Sequence, residues 1–99
     1  MDRFSVHPAP SGKGFLINVQ ADAMGHFNTR VVVPLLPIEE APRPAKTLNP
    51  LFDIAGEQYS MVTQYMAAIP VKELKNAVFS VSDRHNDIVA AIDLLLQGF

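Results

Sequence analysis

Over the first two-thirds of the chain apolar and polar residues alternate or cluster in short runs, and helical spacing enters only in the last sixth. Residues 4–7 form a short strand candidate stopped by Pro8 and Pro10. Ser11-Gly12-Lys13-Gly14 predicts a turn, because glycine takes positive φ without steric cost. Residues 15–20 then alternate, with Phe15, Ile17 and Val19 on one face, which completes a hairpin. Val31-Val32-Val33 is a β-branched run suited to a buried strand. Pro34 lacks a ladder donor, so the strand is expected to end, bulge or lie at an edge there.

Residues 37–50 hold four prolines and little periodicity, and predict a long surface loop. Residues 51–54 and 59–66 flank Ala55-Gly56-Glu57 as a second hairpin, with Tyr59, Met61, Thr63 and Tyr65 on one face. Residues 71–74 and 78–81 are further short strand candidates. The clearest element is the last. Ser82 is the expected N-cap, Asp83 and Asp87 suit the positive end of a helix dipole, and Ile88, Ala91, Ile92 and Leu95 form one apolar stripe. Gly98 is the expected stop. Val89, Leu94 and Leu96 add apolar surface on other faces, which either a second copy of the chain or a deep seat in the same domain would cover.

Composition narrows the class. Ninety-nine residues with 48% hydrophobic and 18% charged side chains suit one folded domain, residues 1–99, with a core small enough to benefit from oligomerisation. The chain has no cysteine, which excludes disulfides and thiolate chemistry. No run approaches the roughly 18–20 apolar residues of a membrane helix, and the N-terminus lacks a signal-peptide layout, so a cytoplasmic, soluble protein is expected. Net charge is −2 without any Lys/Arg run, which argues against direct nucleic-acid binding and for a protein partner.

No catalytic constellation is visible. His7, His26 and His85 are far apart and without ligand spacing, so surface or cap positions are expected rather than a metal site. Ser11-Gly12-Lys13-Gly14 lacks the spacing and following helix of a phosphate loop. Glu39-Glu40 and the Asp83/Asp87 pair have no neighbour that would separate two pKa values for acid–base work. Neither an enzyme nor a cofactor is expected.

Four motifs carry a family resemblance. Val19-Gln20-Ala21-Asp22, Val33-Pro34-Leu35, Met66-Ala67-Ala68-Ile69-Pro70-Val71 and the helix segment Asn86-Asp87-Ile88-Val89-Ala90-Ala91-Ile92-Asp93-Leu94 run in order, with similar spacing, as in the CcdB toxins. The resemblance implies a mainly β fold with one C-terminal α-helix, an SH3-like β-barrel of the CcdB/MazF type, assembled as a homodimer. It implies a non-enzymatic toxin of a type II toxin–antitoxin system that binds the DNA gyrase A subunit, trapping the cleaved DNA complex of that enzyme. A CcdA-like antitoxin would neutralise it, and operator DNA would be met only through the antitoxin complex.

In register, the gyrase-binding positions are Ala23, Met24, Asp93, Leu96, Gln97, Gly98 and Phe99. The family pattern has tryptophan where Gln97 stands, and an aromatic face stacked on arginine contributes on the order of 0.5–2 kcal/mol. Glutamine has no ring. The departure implies weaker gyrase affinity, a contact made differently with Phe99 as substitute, or a homologue that binds only antitoxin. For the antitoxin, the exposed segments 37–50 and 11–14 are the candidate footprint. The alternative from another class is a MazF-like endoribonuclease on the same fold, which would need Arg30, Arg43 or Arg84 gathered in a basic groove.

Overall fold

In the computed structural model, which describes residues 2–99, the short apolar runs become one antiparallel sheet closed by one helix. The strands are β1 (Ser5–Pro8), β2 (Phe15–Asn18), β3 (Thr29–Pro37), β4 (Leu51–Ile54), β5 (Glu57–Met61), β6 (Ala67–Pro70) and β7 (Phe79–Ser80), followed by α1 (His85–Gln97). Their order is β4-β5-β3-β2-β1-β7, and β6 pairs with the first half of β3. The sheet curls as an open half-barrel around a single core, the architecture expected of the CcdB type.

Register explains the core. Val6 lies opposite Ile17, Ile17 opposite Val33, and Leu35 opposite Met61, so one apolar row crosses four strands on the same face. Each of these side chains is essentially fully buried, which contributes about 1.5–3 kcal/mol apiece. Ile88 and Ala91, one helical turn apart, seal the row from the α1 side. Ile92 is half-buried, while Leu95, read as the end of the same stripe, is exposed.

Several expectations are corrected. Pro34 neither ends nor edges its strand, because β3 runs through it. Its carbonyl accepts the Val62 N–H at 2.9 Å, and in a strand the N and C=O of one residue point the same way. The missing donor therefore faces the gap where the neighbour of β3 changes from β6 to β5. The same change breaks up residues 59–66: β5 ends at Met61, Thr63–Tyr65 form a 3-10 turn, and β6 starts at Ala67. Residues 71–74 are not a strand, since Val71–Glu73 are a 3-10 turn; of residues 78–81, Phe79–Ser80 form β7, and the flanking Val78 and Val81 N–H groups donate to Val6 O and Phe4 O.

Other turns follow local chemistry. Ala55 and Gly56 both have positive φ (+52° and +82°), the two-residue hairpin geometry that matches strand twist, and Glu57 already belongs to β5. Ser82 does not cap α1. Ser82–Arg84 form a 3-10 turn, Arg84 holds the cap position without capping the helix through its side chain, and the Ser82 N–H goes to Ser80 Oγ. The segment 37–50 is anchored rather than free. Asn49 is buried, accepts the Ala45 N–H through Oδ1, and donates Nδ2 to Met61 O and Gln64 Oε1, while Thr63 Oγ1 donates to Leu48 O.

Candidate functional site

The end of α1 is set by one backbone conformation. Gly98 takes φ +82° and donates its N–H to Leu94 O at 3.0 Å, a conformation costing other residues about 1 kcal/mol or more. Around that stop the apolar surface is open: Leu96 is 68% exposed and Phe99 85% exposed. Asp93 is half-buried one turn earlier, and Gln97 Nε2 donates to its Oδ1 at 3.4 Å, a long bond that orients the amide weakly.

Ala23 and Met24 sit elsewhere, on the 3-10 turn Asp22–Met24 of the connection between β2 and β3. Residues 21–29 of this connection are all exposed, and Met24 and Phe27 are the large apolar side chains among them. The Arg3 backbone N–H donates to Asp22 Oδ1 at 2.8 Å and Arg3 Nε to Val19 O at 3.0 Å, tying this turn to the N-terminal segment. Of the seven predicted residues, only Asp93 and Gln97 are joined by a hydrogen bond among the described residues. No hydrogen bond or ion pair among the described residues connects the turn to the helix end.

Sequence reasoning missed Phe27 and Tyr65, which are about half exposed. Phe27 stands in the stretch His26-Phe27-Asn28, and the only signal was an aromatic residue with no apolar partner at strand spacing. The His26 ring lies 4.2 Å from it, centroid to centroid. Tyr65 falls in the 3-10 turn that replaced an expected strand.

The two segments named for the antitoxin lie side by side. Lys13 Nζ is 3.6 Å from Glu40 Oε1, with both side chains largely solvated. Further along the same connection, Lys46, Thr47 and Pro50 face Arg84, Asp87 and Ala90 across an open cleft of about 440 Å³.

Elsewhere several polar side chains are occupied structurally, while the buried Ser60 Oγ has no hydrogen-bond partner among the described residues. His7 is buried rather than at a surface or cap, with its Nδ1 2.6 Å from Lys75 O and its Nε2 2.8 Å from Ser5 Oγ. The carbonyl can only accept, so Nδ1 carries a proton and the segment near Lys75 is held against β1. His85 packs edge-on against Phe4. Arg84 bonds Asp87 and Leu51 O and covers the Phe52 ring at 4.2 Å. Burial, with Glu57 and Glu39 nearby, pushes the Tyr59 phenol up, away from neutral pH. No three His, Asp or Glu among the described residues are grouped to hold a metal ion, and no helix among them is long and apolar enough to cross a membrane.

A family model described as CcdB protein matches residues 3–98, nearly the whole chain. The chain belongs to the CcdB protein family. That membership suggests the toxin partner of a toxin–antitoxin pair, and the four ordered motifs fall on the exit of β2, β3, β6 and α1.

Proposed function

We propose that this CcdB-family chain is a cytoplasmic, non-enzymatic toxin that binds the DNA gyrase A subunit, holding the enzyme in its cleaved DNA complex. The observation that carries the reading is the family match over residues 3–98. Exposed apolar side chains at two register positions support it, Met24 on the β2–β3 connection and Leu96 with Phe99 at the end of α1. Ala23, Asp93, Gln97 and Gly98 complete the proposed contact. A two-fold homodimer would double each patch and let a turn from one protomer share a partner with a helix end from the other.

Gln97 gives up the aromatic face of the family pattern. Phe99, two residues on and 85% exposed, is the side chain available to replace it. A CcdA-like antitoxin is proposed to lie over the neighbouring segments 11–14 and 37–50, and the toxin–antitoxin complex to bind operator DNA.

The test is gyrase cleavage of supercoiled plasmid with ATP and purified toxin. Linear DNA accumulating after detergent and protease treatment is expected. Deletion of residues 97–99 is expected to abolish it while leaving the circular dichroism spectrum unchanged. If the intact chain neither induces cleavage nor binds the gyrase A subunit, the proposal is overturned.

A further inference from the structure

The connection from β2 to β3 is built around two side chains that the proposed gyrase contact does not itself use. Arg30, on β3, is 9% exposed. Its neighbours Val31, Val33 and Leu35 supply the core face, so by alternation Arg30 points to the opposite face, where residues 21–29 fold over it. No carboxylate among the described residues pairs with the guanidinium. Instead Nη1 donates to Phe27 O at 2.6 Å and to Thr29 O at 2.8 Å, and Nη2 donates to Gly25 O at 2.8 Å. Burying a cation without a counter-charge is costly unless its donors are satisfied, and the three hydrogen bonds this guanidinium makes among the described residues all go to backbone carbonyl oxygens.

Gln20 completes the arrangement from the exit of β2. Its Oε1 accepts the Val31 N–H at 3.0 Å and its Nε2 donates to Met24 O at 2.7 Å. The carbonyls of Met24, Gly25, Phe27 and Thr29 are thereby all drawn inward, and the side chains of Ala23, Met24, His26 and Phe27 are left outside. A plain connection between two strands needs neither a buried unpaired cation nor a side-chain amide spanning two backbone groups.

We infer that Gln20 and Arg30 are positioning residues, which hold the Ala23–Met24 turn preformed for its protein partner and extend that contact to Phe27. The inference rests on the proposed binding of the gyrase A subunit by this turn. A turn fixed in advance spares the complex the entropy of ordering it. A turn released from its carbonyl anchors keeps the same contact atoms and binds more weakly.

The test is a double-mutant cycle on binding to the purified gyrase A subunit, followed by calorimetry, with thermal unfolding measured on every variant. Gln20→Met keeps side-chain length and removes both hydrogen bonds, and is expected to weaken binding about tenfold in the intact background. In the Met24→Ala background the same change is expected to have less than about a threefold effect, because Gln20 acts through Met24. Arg30→Met is expected to weaken binding at least as much. Should that variant unfold, the Gln20 cycle decides alone, since Gln20 is only half-buried. Phe27→Ala is expected to weaken binding by several-fold with an unchanged unfolding midpoint.

An equal effect of Gln20→Met in both backgrounds, or lowered unfolding midpoints with unchanged affinity, would assign these residues to stability and overturn the inference while leaving the proposed function standing. A failure of the intact chain to bind the gyrase A subunit would overturn both.

Discussion

At Gly14 the chain combines two constraints that a local sequence reading separates. Its φ of +75° favours glycine, as any turn would, but an added Cβ would also run into the Leu35 carbonyl of β3. Gly12, two residues before, has φ +88° and open space around it. Gly14→Ala is expected to cost about 3 kcal/mol and Gly12→Ala about 1 kcal/mol, read as urea unfolding midpoints. Equal losses would show that backbone conformation alone sets both positions. The turn was legible in the sequence, but the close approach was not, because it depends on a strand distant along the chain. His7 and Arg30 follow the same logic. Their types suggested surface or groove positions, yet His7 is closed over by a segment far along the chain and Arg30 by the connection that precedes it, and backbone carbonyls bond both.

At the scale of elements, strands with simple alternation were readable, and those whose partners change were not. Residues 15–20 showed their faces correctly because β2 keeps the same neighbours along its length. β3 has two successive neighbours on one side, and Pro34 sits at the exchange, so a residue that argues against a central strand is accommodated within one. β6 escaped notice because Ala67-Ala68-Ile69-Pro70 carries no alternation and little bulk. The proline-rich connection 37–50 was legible as a loop, though its anchorage was not. Asn49→Ala would orphan the Ala45 N–H and the Met61 carbonyl, and is expected to cost about 2–3 kcal/mol. Hydrogen exchange of the 45–49 amides should rise with it. Protection equal to wild type would show that Thr63 and the backbone hold the connection unaided.

For the whole molecule, the family motifs conveyed more than periodicity did. They placed the helix and the β2 exit within one fold, whereas periodicity predicted strands without saying which would adjoin. The candidate surface was legible only through that register. It draws on a turn and a helix end that no hydrogen bond joins among the described residues, and assembly is a testable condition of the proposed function. Sedimentation equilibrium at micromolar concentration is expected to give a dimer mass, both for the intact protein and after deletion of residues 97–99. A monomeric intact chain would remove the reason for combining a turn from one protomer with a helix end from another. A monomer produced only by the deletion would give the tail a structural role.

The pairing of β1 with β7 joins Ser5 to Ser80 and Val6 to Phe79. A ribosome delivers the N-terminal end first, so β1 waits with one edge bare until Phe79 and Ser80 have emerged. Ile88 and Ala91, which seal the core, arrive later still. Translation halted before Phe79 thus leaves a sticky, unsealed sheet and no helix end. The helix-end part of the surface proposed to harm the cell emerges well after the Ala23–Met24 turn, and the interval between the two is set by the speed of elongation.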